Sequence, residues 1–216
     1  MTRRSIVFLT LGLAVVGFAA AGLYYKGAEE DRQTRIAATE SNHLVRPHAP
    51  VIGPADAPVT IVEFFDPACE SCRAFYPYVK QILAEHPKDV RLVLRYAPFH
   101  KGSDEAVKIL EAARLQGKFE PVLEALLEAQ PAWAMHGAPN LAIAWAAAQS
   151  AGLDVDRARQ DAAKPEMDEM LAQEVADIKA VKLNRTPTFF VNAKPLLDFG
   201  PEGLNALVKA EVDAAR

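Results

Sequence analysis

FFDPACESCRAFYP, residues 64–77, holds both cysteines of the chain, Cys69 and Cys72, with two residues between them. Upstream, VTIVEFFD (59–66) is rich in β-branched and aromatic side chains and predicts a buried strand. Downstream, Phe75, Val79, Ile82 and Leu83 recur at helical spacing over 69–85, a run interrupted by Pro77. Cys69 therefore falls where a strand turns into a helix. The unpaired N–H groups and the dipole at a helix start stabilise a thiolate. Such a thiolate attacks a disulfide, and a second cysteine one turn on resolves the mixed disulfide. Cys69 fits the first role and Cys72 the second.

Other uses of a cysteine pair fit less well. A bond between Cys69 and Cys72 closes so short a loop that it constrains the unfolded chain very little, which argues against a stabilising staple. A structural zinc site needs two further ligands. The chain has no third cysteine, and its five histidines (43, 48, 86, 100, 136) are scattered. No metal is expected.

Working outward, VRLVLRYAPF (90–99) predicts a second strand ended by Pro98, which completes a βαβ unit with a parallel pair. A long helical stretch follows. Ser103-Asp104-Glu105 can cap its first helix, and Gly117, Pro131 and Gly137-Ala138-Pro139 break it. Further helices are expected over 140–151, 154–163 and 165–181. TPTFFVN (186–192) and PLLDF (195–199) predict two strands joined by a turn around Ala193-Lys194. An amphipathic helix over 201–214 turns Leu204, Leu207 and Val208 inward. The expected fold class is α/β, in the order βαβ, helical insertion, ββα. The domain would comprise 51–102 and 184–216, and the insertion 103–183.

The N-terminus reads differently. Arg3 and Arg4 precede SIVFLTLGLAVVGFAAAGLYY (5–25), an uncharged run long enough to cross a bilayer as a helix. The arginines should stay in the cytoplasm. Ala19 and Ala21 also make an A-x-A cleavage pattern, so residues 1–26 are either a transmembrane anchor or a signal segment. Either reading exports the rest of the chain, into a compartment that permits disulfides. Polar residues 27–50 read as a tether, with a short helix around 29–40. Of the 216 residues 50% are hydrophobic and 24% charged, an ordinary globular composition. A net charge of −4 argues against a general nucleic-acid binder.

With CxxC at the first helix and Thr186-Pro187 before the third strand, residues 50–214 resemble the DsbA-like family of thioredoxin-fold oxidoreductases. EFFDPACESC matches that family's first strand and redox motif, and Pro77 matches the proline that kinks its first helix. The resemblance implies a cis Thr186–Pro187 bond facing the disulfide, with Thr186 offering its backbone to an extended substrate segment. It also implies that an acid at Glu63 and a base at Arg95 lie beneath the active site, the acid serving proton transfer at the buried cysteine. Read from the strands alone, Glu63 is a carboxylate in a buried run that needs a partner, and Arg95 in the neighbouring strand can supply one; a surface ion pair at the sheet edge is the plainer alternative. The departure from the family is the dipeptide Glu70-Ser71, where strongly oxidising members have Pro-His. Glu70 beside Cys69 opposes thiolate formation and makes the couple less oxidising.

Plainer readings apply elsewhere. Trp133, Met135 and Trp145 should pack the insertion. His100 should be a solvated loop histidine. Glu174, Asp177, Lys179, Lys182 and Arg185 should form a solvated helix face. The expected function is exchange of thiols and disulfides on exported proteins, in the bacterial periplasm, with no cofactor beyond the Cys69–Cys72 dithiol. A membrane redox partner would reset that dithiol. The alternative is a copper-handling or chaperone module using the dithiol with Met135 and His136 as soft ligands.

Overall fold

The computed structural model describes residues 41–216, together with Phe18, Gly22 and Tyr24. The anchor or signal reading of 5–25 and the short helix around 29–40 lie outside the described residues. Among the described residues no helix is long and apolar enough to cross a membrane.

Five strands form one sheet: β1 (Val51–Ile52), β2 (Val59–Phe65), β3 (Val90–Tyr96), β4 (Thr188–Val191) and β5 (Lys194–Pro195), in the order β1-β3-β2-β4-β5. The β2–β3 pair is parallel, joined through helix α2 (Glu70–Glu85), and the other pairs are antiparallel. β2 and β3 are buried almost throughout, so they read in the sequence as continuous apolar runs rather than alternating ones. β1 is too short to carry such a signal. β5 is shorter than expected; Asn192 and Ala193 make the β4–β5 turn with φ of 46° and 64°.

Alternation along the strands assigns side chains to two faces. Ile61, Phe65, Leu92, Leu94, Phe189 and Val191 face one cluster, shared with Phe75 and Val79 of α2 and with Leu204, Val208 and Val212 of α8 (Pro201–Ala214). The same cluster runs on into α3 (Ser103–Leu115), α4 (Phe119–Trp133), α5 (Leu141–Ser150) and α6 (Val155–Ala162). Val62, Phe64, Val93 and Phe190 face a second, smaller cluster. It is closed by Leu44 at the end of α1 (Ser41–Leu44), by Ile178 of α7 (Pro165–Ala180) and by Val181. Of residues 103–183, then, α7 is not an excursion from the sheet but its second covering layer. Likewise the end of the segment expected as a tether is docked, with Leu44 and Ala49 buried.

Three local expectations are corrected. Pro131 does not end α4, which continues two residues further to Trp133. Met135 is 54% exposed, whereas Trp133 and Trp145 are buried in the insertion. Ser103 does not cap α3; Gly102 takes the cap position in a left-handed conformation, φ 84°, and Ser103 turns its hydroxyl elsewhere.

Candidate active site

The site begins at Asp66, the residue after β2. Its carbonyl accepts the Cys69 N–H at 3.0 Å and its Oδ1 accepts the Ala68 N–H at 2.8 Å, folding residues 66–69 into a tight turn. The turn delivers Cys69 to the cap position of α2 in an extended conformation, φ −79° and ψ 120°. From the insertion, Gln130 braces the same turn. Its Nε2 donates to Pro67 O at 2.8 Å and to Cys69 O at 3.0 Å, while its Oε1 accepts from Arg73 Nε at 2.9 Å. Both cysteines are free thiols. Cys72, one turn on, is fully buried, and its Sγ accepts the Asp66 N–H at 3.4 Å.

The two sulfurs are thus pushed apart in acidity. A hydrogen bond from the Cys72 thiol, with others from the Thr186 side chain and the Ser71 and Cys72 N–H groups, outweighs partial burial and lowers Cys69 to about 5. Burial, the hydrogen bond to Cys69 and the charges of Glu63 and Cys69 push Cys72 far up. Cys69 is thereby shifted towards the thiolate and Cys72 towards the protonated thiol.

The Thr186–Pro187 bond is cis, and Thr186 O lies 3.4 Å from Cys69 Sγ, within reach of the thiol proton. Pro187 is buried and Thr186 half-buried beside it. Glu63 is buried in β2 and both its carboxylate oxygens are without a hydrogen-bond partner. Burial, with the Cys69 charge adding, raises it to about 8, so its carboxyl stays largely protonated at neutral pH.

Arg95 is not its partner. The parallel register sets Glu63 opposite Leu94 and Phe64 opposite Arg95. Cross-strand neighbours share a face, so Glu63 and Arg95 point to opposite sides of the sheet. Arg95 turns instead to α7, where its Nε lies 3.1 Å from each oxygen of Glu174 and its second amino group 2.7 Å from Asp177 Oδ2. Arg46 Nε also donates to Asp177 Oδ2 at 2.7 Å, and His43 and His48 each sit 2.6 Å from one of the two acids. Glu174 and Asp177, expected on a solvated face, are wholly buried in this network. The buried arginine required buried anions, and His43 of α1 with Arg46 and His48 after it complete the pairing.

Glu70 and Ser71 are exposed on the first turn of α2. Glu70 Oε1 lies 3.5 Å from His136 Nε2, both side chains open to solvent. His100 is not a free loop histidine: its Nδ1 lies 2.7 Å from Asp66 Oδ2. Among the described residues, no three His, Cys, Asp or Glu side chains converge as a metal-ligand set. Asp66, Gln130 and His100 were not singled out from the sequence as site residues. A signal existed for Gln130, which sits in helical step with Val122, Leu123, Leu126, Leu127 and Trp133 on the buried face of α4.

Comparison with known proteins agrees with this architecture. Residues 46–210 match the family model described as Thioredoxin. A thioredoxin-like oxidoreductase from Silicibacter pomeroyi is 34% identical, with a TM-score of 0.66 over 79% of this chain and 94% of that one. The thiol-disulfide exchange protein alpha-DsbA2 from Wolbachia pipientis shares the fold at 16% identity, with a TM-score of 0.71 over 88% of this chain and 98% of that one. Among curated proteins, a Na(+)/H(+) antiporter NhaA 3 from Salinispora tropica is 33% identical over 171 residues, 76% of this chain but 24% of the antiporter. The chain spans about a quarter of the length of the curated relatives it matches. The chain belongs to the thioredoxin family.

Proposed function

We propose that the chain exchanges disulfides with cysteine-containing proteins outside the cytoplasm, with Cys69 as nucleophile and Cys72 as resolving thiol. The observation that carries this reading is the opposed acidity of two sulfurs held one helical turn apart. In the reducing direction the Cys69 thiolate attacks one sulfur of a substrate disulfide. The substrate S–S bond breaks, a Cys69–substrate bond forms, and the other substrate sulfur leaves as a thiolate. Cys72 then loses its proton and attacks Cys69, releasing the second substrate thiolate and leaving the Cys69–Cys72 disulfide. The oxidising direction is the reverse, a substrate dithiol being the reductant.

Glu63 is the group suited to move the Cys72 proton, because it is buried, unpartnered and close enough for its charge to act on that thiol. Arg95 has no part in this step. Thr186 and Pro187 line the place where an extended substrate segment would lie against Cys69. The lowered pKa of Cys69 supports a couple on the oxidising side of an ordinary dithiol, because a stabilised thiolate favours the reduced form. Glu70 restrains that tendency, and an isomerase role fits the intermediate result. Residues 5–25 carry the domain to the periplasm and hold it at the inner membrane, where a membrane redox partner resets the dithiol. No cofactor beyond the dithiol is needed. Antiport belongs to the names of the longer relatives; a stretch of 144 to 171 residues is what this chain shares with the first of them.

Insulin reduction by the full chain, with dithiothreitol as electron source, tests the reading. Turnover above the uncatalysed rate that Cys69→Ser abolishes is expected. Equal turnover by the two proteins would refute it, and would leave a metal-carrying dithiol as the better account.

A further inference from the structure

The dipeptide between the cysteines supplies no cation to the Cys69 thiolate, and Glu70 adds an anion. The geometry points to His100, clamped by Asp66, as the cationic partner of Cys69, brought to the site from the loop after β3. This inference rests on the reading of Cys69 as the reacting thiolate and adds a positioning residue to it.

Asp66 is fully buried, and every group that contacts its carboxylate is a donor. Its Oδ1 accepts from the Ala68 N–H at 2.8 Å and from the Ser103 hydroxyl. Its Oδ2 accepts from the Phe99 N–H at 2.8 Å, the His100 N–H at 3.0 Å and His100 Nδ1 at 2.7 Å. One carboxylate therefore ties the residue before Cys69, the loop after β3 and the first residue of α3 into a single block. Gly102 makes this possible. At φ 84° it reverses the chain so that Ser103 faces Asp66, and a Cβ there would meet Pro139 Cγ at 2.9 Å.

The clamp also fixes how His100 is protonated. With Nδ1 against an oxygen that can only accept, Nδ1 carries its hydrogen, and Nε2 is the nitrogen that gains or loses a proton. The imidazole is 37% exposed, open enough to exchange that proton with solvent and with an incoming substrate. The charged groups around it favour the cation. Burial opposes protonation, but the hydrogen bond and charge of Asp66, with the charges of Cys69 and Glu70, raise His100 above the ordinary imidazole value. His136, from the segment between α4 and α5, has its ring 6.3 Å from that of His100 and is turned to Glu70. Lys101 and Asp104, of opposite charge, line the same groove as His100, to which α7 contributes Leu171, Ala172 and Val175.

Proton bookkeeping is simple. When Cys69 ionises, its proton goes to solvent, and His100, which can hold a proton on Nε2, leaves the thiolate near an imidazolium rather than near a neutral ring. Linkage makes the effect reciprocal: whatever the imidazolium does to the Cys69 acidity, the thiolate does to His100 in the same amount.

The wild-type full chain allows a test without any substitution. The His100 ring proton is followed by NMR against pH in the reduced and the oxidised protein. His100 should titrate higher in the reduced form by about half a unit or more, since only that form carries the thiolate. His100→Gln, whose amide can still donate to Asp66, should raise the Cys69 titration midpoint. It should also shift the equilibrium with glutathione about threefold to tenfold towards the disulfide. Identical His100 titrations in the two redox forms would overturn the proposal, and so would a His100→Gln protein with unchanged Cys69 midpoint. Neither result bears on insulin reduction, which tests the exchange reading separately.

Discussion

At the scale of single residues, the site is a set of charges whose environments differ more than their chemistry. Cys69 and Cys72 are the same side chain. One meets helix N–H groups and a neighbouring thiol, the other deep burial, the charges of Cys69 and a buried acid, and a weak N–H bond. Glu63 has a testable signature. Its folded value, about 8, lies above the usual 4.5, so its protonated form contributes stability that is fully present below 4.5 and lost as pH rises through 8. Glu63→Gln keeps the shape and removes the charge. Denaturant unfolding should show it stabilised over the parent by about 2 kcal/mol or more above pH 8, with little difference near pH 4. Its resolving step should slow. A stability difference that does not change with pH would contradict the buried, unpartnered assignment. Glu70 acts in the opposite sense to a cationic partner. Glu70→Gln should lower the Cys69 midpoint and make the disulfide more oxidising, by no more than about one unit, or about 30 mV. The effect should fade at high salt because the side chain is exposed. A potential that moves towards more reducing values would show that Glu70 does not tune the couple.

At the scale of elements, what was legible in the sequence was what local chemistry decides. The apolar runs of β2 and β3, the helical spacing after Cys69 and the amphipathic pattern of α8 each depend on neighbours a few residues away. Register does not. Alternation along a strand says which residues share a face within that strand, but a one-residue offset between strands decides whether Glu63 faces Leu94 or Arg95. The roles of Asp66 and Gln130 at the site were illegible for a related reason: their partners are 34 and 63 residues away at His100 and Pro67. Glu174 and Asp177 read as surface because charged residues usually are. The corrected account of Arg95 makes an element-scale prediction. Arg95→Leu leaves two buried carboxylates on α7 short of a cation and should destabilise the fold by about 3–5 kcal/mol. It should leave the alkylation rate of Cys69 in the surviving folded protein unchanged. A Cys69 rate that falls with the substitution would return Arg95 to the active site.

At the scale of the whole molecule, the sheet separates two buried charge systems. One face carries the dithiol and Glu63 under α2. The other carries Arg95, Glu174 and Asp177, and through Arg46, His43 and His48 it fastens the segment leading in from the N-terminus. The first serves chemistry and the second holds the layers together. What joins them is folding itself, because a fold that stabilises the Cys69 thiolate must be stabilised by it in return. Cys69 in the folded chain lies at about 5 against 9.0 for the ordinary thiol. This is a lowered value, so its contribution is lost as pH falls through 5 and grows as pH rises towards the unfolded value. The most direct measurement is therefore the unfolding free energy of the reduced protein minus that of the oxidised protein, followed from about pH 5 to about pH 8. Taking the difference removes most of the contribution of Glu63, which both forms share. The account predicts that the reduced form gains on the oxidised form with rising pH, by about 1.4 kcal/mol per unit at its steepest. A difference that stays flat across that window would mean that the fold does not hold Cys69 as a thiolate.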